Sequence, residues 1–391
     1  MNRIVSSFLE KHFKNIDWGT IKVKFPNDDV RIYTGRNHGL NVELMIRDNS
    51  IVQDIFLKGE LGFAEGFINK KWDTSDLANL LKFLLKNQQI NQGEIKPNFF
   101  LKLYERIKFT LKKNSLKQAQ KNIEFHYDLG NEFYSKWLDE TMSYSSAFYN
   151  NKDITLFEAQ KNKYKNIVQN LEISIDDKIC EIGTGWGGFA SELLSKNEAS
   201  NLTGYTISKN QFNYVQEKLL SKKKNVNFSF LDYRKINQKF DKIVSIEMFE
   251  AVGRKYWDTY FDKIYNSLNP GGKVCLQIIT INENSFKNYV DNVDFIQKYI
   301  FPGGILPSKS ILFQLFKRHN LELYHQQDFG HDYAKTLIKW KETFNSNWKD
   351  IKSNKFDNRF KRIWNYYLDY CETGFTLNHT DVSQFYLKKV A

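Results

Sequence analysis

From Lys121 onward the chain alternates short apolar runs with segments of helical character, and this alternation restricts the fold more than any other feature. DKICEIG, NLTGYTI, VNFSFLDY, FDKIVSIEM and GKVCLQIITI are each of strand length, rich in β-branched residues, and separated by one helix-sized stretch. Such a pattern predicts an α/β domain with a mostly parallel, doubly wound, Rossmann-like sheet. In sheets of this kind ligands bind in the crevice outside the carboxyl ends of the strands. The run IVSIEMFEAVG, Ile243 to Gly253, ends in that place with two carboxylates, Glu247 and Glu250. A buried charge needs a partner, so acids there point to chemistry before packing.

Upstream, CEIGTGWGGF is a glycine-rich turn between a strand and a helix, and Gly183, Gly185 and Gly188 match GxGxxG. Glycines let a ligand approach the backbone, and the helix N-terminus favours negative charge. A nicotinamide dinucleotide also wants an acid about 20 residues on, for its ribose. The following strand instead ends Gly204-Tyr205-Thr206-Ile207-Ser208, with no carboxylate. Glu181 and Trp186 further crowd the turn against a pyrophosphate. S-adenosylmethionine, which has no phosphate and a cationic sulfonium, suits the loop better than a nicotinamide cofactor.

The rest of the chain sets bounds. Its 391 residues allow two domains or one with an insertion, and 41% hydrophobic residues suffice for a core. A net charge of +12 favours anionic partners such as acidic lipid or nucleic acid. Cys180, Cys275 and Cys371 form no CxxC pair, so neither a zinc site nor a disulfide framework is expected and no metal is assigned. MNRIVSSFLEKHFKN lacks the apolar core of a signal peptide, and no run reaches membrane-spanning length, so a soluble cytoplasmic protein is expected.

Residues 1–90 read as a small α+β domain: strands over Thr20 to Phe25 and Gly39 to Ile46, the turn PNDD, then helical pieces in LGFAEGFINKKWDTSDLANLLKFLLKN. Residues 91–120 read as a basic linker or helix, with Lys102, Arg106, Lys108, Lys112, Lys113 and Lys117 among apolar residues. That is either an amphipathic helix for an anionic membrane or an ordinary solvated one. Residues 121–391 form the catalytic domain, in which a helical piece from about Asn282 to His319, containing YIFPGGILPS, interrupts the sheet pattern as a candidate roof for the crevice.

The stretches HYDLGNEFY, MSYSSAFY, EIGTGWGG, GYTISKNQ, DYR, SIEMFEAVG, YIFPGGILPS, DYAKTLIKW and RFKRIWNYYLDYCETGF occur in that order from Phe125 to the C-terminus. Through them the chain resembles the cyclopropane fatty acyl phospholipid synthase family of S-adenosylmethionine-dependent methyltransferases. LGFAEGFINKKW is similar to the N-terminal domain of the longer members. The resemblance implies methyl(ene) transfer to the cis double bond of an unsaturated phospholipid acyl chain through a carbocation, with a bound bicarbonate removing a proton so that a cyclopropane closes. By motif, Tyr144, Ser145, Gly183, Gly185, Thr206, Gln211, Asp232 and Tyr233 would hold the cofactor. Glu250 and Tyr333 would hold the bicarbonate, with Ser146, Gln277 and Ile279 beside it. The plain alternatives are a salt-bridged acid at Glu250, a packing tyrosine at Tyr333 and an ordinary aromatic at Tyr144.

Three positions depart from the family pattern. Ser146 stands where many members have Cys, Gln277 where well-known members have His, and Ala251 where a His is common. Ser and Gln still donate hydrogen bonds to an oxyanion, but with different acidity and geometry. Loss of another proton from the same cation would give a methyl- or methylene-branched chain instead of a ring. The resemblance also implies a peripheral enzyme on the inner face of the membrane, with unsaturated phospholipid as partner, and is compatible with a homodimer. A nucleic-acid or small-molecule methyltransferase is the competing enzyme reading, although no RNA-binding module interrupts the chain and no nucleic acid partner is expected. A lipid-binding protein without activity is the non-enzyme reading.

Overall fold

The computed structural model describes residues 13–91, 129–195, 201–219 and 226–390. The basic segment read as an amphipathic helix lies outside these residues. The chain divides into two compact units.

The described part of the first unit comprises residues 13–91 with Asp291–Ile300 and Lys352–Leu377. Strands β1 (Trp18–Lys24), β2 (Val30–Thr34), β3 (Asn37–Ile46) and β4 (Trp72–Asp73) form a sheet in the order β2-β1-β3-β4. β1 pairs with β2 antiparallel and with β3 parallel. Alternate residues Ile21 and Val23 of β1 are fully buried, as period-two patterning requires. β2 is absent from the sequence reading because it is an edge strand that turns Val30 and Ile32 to solvent. Helices Ile51–Lys58, Glu60–Ile68 and Leu77–Asn91 follow, and helix Asn358–Thr376 joins them from far along the chain. Two polar contacts tie the distant segments in. Glu65, largely buried, accepts from Lys58 Nζ (2.6 Å), Lys298 Nζ (2.7 Å) and Tyr299 OH (2.9 Å). The Arg362 guanidinium lies 3.8 Å from the centre of the Phe67 ring and donates to the Phe67 carbonyl.

The second unit carries a seven-stranded sheet: β5 (Lys178–Ile182), β6 (Asn201–Thr206), β7 (Val226–Phe230), β8 (Phe240–Ile246), β9 (Leu268–Ile281), β10 (Leu321–Asp328) and β11 (Thr380–Lys389), in the order β10-β11-β9-β8-β5-β6-β7. β7, β6, β5, β8 and β9 are mutually parallel, and β11 pairs antiparallel with both β9 and β10. Apolar clusters cover both faces. One is centred on Ile243, Tyr260, Phe261 and Phe385, the other on Ile167, Leu193, Val215 and Tyr386. This is the doubly wound α/β fold that the alternation predicts. The order reverses between β5 and β8: the chain runs outward through β6 and β7, then returns to the other side of β5. The loops after β5 and β8 therefore open on the same crevice, which is where such folds place ligands.

Candidate active site

The turn after β5 holds three glycines in the left-handed region, Gly183 (φ 86°), Gly185 (φ 55°) and Gly187 (φ 81°). The Gly183 and Thr184 N–H groups both donate to the Tyr205 carbonyl, at 2.9 and 3.1 Å, which pins the turn to β6. A side chain at Gly185 would meet nothing within 4 Å, so the backbone there faces open space. At the end of β6, Thr206 Oγ1 donates to Gln211 Oε1 (3.1 Å) and accepts from the Ser208 N–H (3.1 Å). Past the end of β7, Asp232 caps the turn Tyr233–Lys235 and receives Arg234 Nε and Nη2 at 2.8 and 2.7 Å. The structure thus brings Gly183, Gly185, Thr206, Gln211, Asp232 and Tyr233 to the carboxyl ends of three neighbouring parallel strands.

Glu181, in the penultimate position of β5, has its Oε2 buried without a hydrogen-bond partner, and burial pushes its carboxyl well above the usual range. An unpaired buried acceptor beside open backbone is what a polar, cationic cofactor would satisfy. These residues fit S-adenosylmethionine.

The second half of the site is built on the loop after β8. Glu247 takes a left-handed backbone (φ 48°), and its N–H donates to the Gln277 carbonyl on β9 at 2.8 Å. Its carboxylate is buried among donors. Oε1 accepts from the Ser146 N–H (2.9 Å) and from Gln277 Nε2 (2.7 Å), and Oε2 accepts from Tyr333 OH (2.7 Å). Burial raises its pKa, opposed by Tyr333 and by the charge of Lys163. Glu250 lies in the next turn. Its Oε1 accepts from the Ile279 N–H at 2.6 Å, and its Oε2 is buried with no partner. Burial, with the neighbouring charge of Glu247 second, pushes the Glu250 carboxyl up to about 8. Two neighbouring carboxyls cannot both ionise freely.

Helix Gly330–Ser346 positions both Tyr333 and the loop that carries Ser146. Asp332 Oδ2 accepts from the Tyr149 and Asn150 N–H groups at 2.8 and 3.1 Å, and Thr336 Oγ1 accepts from the Ala147 N–H at 3.1 Å. The Ser146 hydroxyl turns away to the Ala147 carbonyl (2.9 Å), so it is the backbone of Ser146 that faces Glu247. Tyr144 packs among Tyr134, Trp137 and Trp340, with centroid separations of 5.4, 5.5 and 5.3 Å. Trp340 meets Tyr333 edge-on at 6.1 Å. An aromatic wall therefore runs from Tyr144 to the phenol that holds Glu247.

The anion site implied by the resemblance does not fit this geometry. Tyr333 is bonded to Glu247, not poised with Glu250, and the Ser146 and Gln277 donors point at the same Glu247 carboxylate. Bicarbonate would have to compete with a tethered carboxylate for every one of these donors.

Two participants were not foreseen from the sequence. Lys163, fully buried, donates to Ser145 Oγ and Gln160 Oε1, both at 2.6 Å, and desolvation lowers its pKa to about 8 against the pull of Glu247 and Asp139. Its only sequence signal is position: it falls on the apolar face of helix Leu156–Leu171, four residues from Ala159 and four from Ile167. Gln384 on β11 donates to Gln277 Oε1 at 3.0 Å, from a strand whose polar sequence disguises its burial.

The family model described as mycolic acid cyclopropane synthetase matches residues 114–385. The chain is 34% identical over 344 residues to the cyclopropane-fatty-acyl-phospholipid synthase of Escherichia coli strain K12, covering 87% of this chain and 86% of that one. It is 29% identical over 354 residues to the tuberculostearic acid methyltransferase UfaA1 of Mycobacterium tuberculosis, covering 87% and 82%. Among solved structures, mycolic acid cyclopropane synthase CmaA1 complexed with SAH and CTAB matches with a TM-score of 0.63 at 28% identity, over 69% of this chain and 98% of that chain. With the glycine turn, the carboxylates after β8 and the aromatic wall in one crevice, these matches show that the chain belongs to the mycolic acid cyclopropane synthetase family of S-adenosylmethionine-dependent methyltransferases.

Proposed function

We propose that the protein transfers a methyl(ene) group from S-adenosylmethionine to the cis double bond of an unsaturated phospholipid acyl chain, giving a cyclopropane. The observation that carries this is the buried carboxyl pair, Glu247 and Glu250, at the switch point beside the cofactor turn and the aromatic wall. The cofactor supplies an electrophilic methyl on a cationic sulfur. Gly183, Gly185, Thr206, Gln211 and Tyr233 would hold it, with Glu181 offering an unpaired acceptor. Tyr144, backed by the fully buried Trp137 and Trp340, presents an aromatic face that stabilises a cation developing on the acyl chain and keeps water from quenching it. The Glu247 carboxylate supplies negative charge where that cation forms, while Glu250 beside it stays protonated. Similarity to the Escherichia coli synthase supports the acyl phospholipid as substrate.

The net charge of +12 suits an anionic membrane surface on the cytoplasmic side, and among the described residues no helix is long and apolar enough to cross a membrane. A second product is favoured by similarity to a methyltransferase named for tuberculostearic acid and by Gln277 at the site: the same transfer without ring closure, leaving a branched chain. Methyl-labelled cofactor and vesicles of cis-monounsaturated phospholipid test both. Shielded ring protons in the released fatty acids identify a cyclopropane, and olefinic protons in a labelled chain identify branching. No label in lipid refutes the proposal.

A further inference from the structure

We propose that Glu247 is the internal base of this reaction: its carboxylate fills the anion cradle that a free bicarbonate would otherwise occupy, and it takes the proton from the methylated acyl chain. This rests on the function proposed above.

The cradle is complete without any free ion. Three donors from three separate parts of the unit converge on Glu247: the Ser146 N–H, the Gln277 amide and the Tyr333 hydroxyl. The amide is oriented for this. Gln277 Oε1 receives Gln384 Nε2 at 3.0 Å, and Gln384 Oε1 in turn receives Tyr386 OH at 2.6 Å and Asn166 Nδ2 at 2.8 Å. Every acceptor in the chain is used, so Nε2 of Gln277 is left facing the carboxylate. The backbone adds a second argument. Glu247 sits at φ 48°, where glycine is at ease and a larger side chain is strained. Such strain concentrates at functional sites. The charged groups around it are Glu250 and Lys163. Lys163 spends hydrogen bonds on Ser145 and Gln160, and burial outweighs the three neutral donors on Glu247, which leaves it basic.

The step balances simply. After methyl transfer the acyl chain carries a cationic carbon next to the carbon bearing the new methyl. Glu247 accepts a proton from that methyl. The electrons of the broken C–H bond form the ring-closing C–C bond, the chain becomes neutral, and Glu247 becomes a carboxylic acid. When another proton leaves, the same electrons form a C=C bond and the chain stays branched. The acid returns its proton to water once product departs.

The test uses the full-length protein, vesicles of cis-monounsaturated phospholipid, labelled cofactor and buffer stripped of carbon dioxide. Wild type is expected to turn over at the same rate with and without added bicarbonate. Glu247→Gln is expected to lose about a hundredfold in rate while still binding cofactor. Glu247→Gly, which relieves the strained backbone and empties the cradle, is expected to regain turnover when bicarbonate is added. A wild type that needs bicarbonate, or a Glu247→Gln variant at the wild-type rate, overturns the inference. A wild type that labels no lipid in either buffer refutes the lipid function and, with it, the base role. Calorimetry with bicarbonate alone then still judges the cradle: binding by Glu247→Gly and not by wild type supports it, and equal binding by both overturns it.

Discussion

Replacing Glu250 by Gln is expected to make the protein more stable at mildly alkaline pH while abolishing turnover. Desolvation first, and the charge of Glu247 second, raise the folded pKa of Glu250 from 4.5 to about 8. The sign follows from proton counts: the folded protein keeps a proton that the unfolded chain releases above 4.5. This group's contribution to stability is therefore complete below 4.5 and is lost progressively as pH rises to about 8. At a pH of about 7.5 the loss spans roughly three units, or ~4 kcal/mol at ~1.4 kcal/mol per unit. The amide escapes this loss and still accepts from the Ile279 N–H, but its new N–H group must stand where an unpartnered oxygen now lies. Setting ~2 kcal/mol against that unsatisfied donor leaves a net gain of ~2 kcal/mol. At roughly 2–4 °C per kcal/mol for a unit of this size, the melting temperature should rise by ~4–8 °C. Thermal scans at a pH of about 4 and about 8 measure it: the gain should appear at the higher pH and turn at the lower into a loss of ~2 kcal/mol, because the unsatisfied donor remains when the titration term is gone. An equal shift at both, or a loss at the higher pH, would refute the idea that Glu250 is a carboxyl held protonated by burial.

Tyr333→Phe removes a donor to the ionised form of Glu247, so the acid limb of the pH–rate profile should move to higher pH with about a tenfold loss of rate; an unmoved profile would show that Tyr333 does not tune Glu247. Gln384→Leu frees the Gln277 amide to rotate and should also cost about tenfold in turnover, the worth of one hydrogen bond of ~1.4 kcal/mol, with cofactor affinity unchanged by calorimetry. Gly185→Ala puts a side chain into open space above the turn at φ 55°, so it should fold with ~1 kcal/mol of strain and bind S-adenosylmethionine more weakly; unchanged affinity would place the cofactor elsewhere.

Two patterns made strands recognisable from sequence: continuous apolar runs where both faces are buried, and the alternation of strands such as β1, buried on one face. β5, β6, β8 and β9 show the first pattern, and with the recognised edge strand β7 they made the doubly wound class apparent. β10 and β11 were not recognised. β10 is a largely exposed edge strand, and β11 buries polar residues that its neighbours satisfy, as when Ser383 donates to Asp328 at the end of β10 at 2.6 Å and Gln384 donates to Gln277 on β9 at 3.0 Å. The first unit shows a different limit: what completes it, Asp291–Ile300 and Lys352–Leu377, arrives through contacts that no local pattern encodes.

The amino-acid sequence by itself determined the alternating fold, the glycine turn and the presence of two acids after β8, because each depends on residues adjacent in the chain. It could not decide which acid the donors would serve. The groups that hold Glu247 come from positions 101, 30 and 86 residues away, on a loop, a strand and a helix. Only the packed sheet, with β11 set against β9 and helix Gly330–Ser346 anchoring the Ser146 loop, brings them within hydrogen-bond reach of one carboxylate and leaves half of Glu250 unpaired.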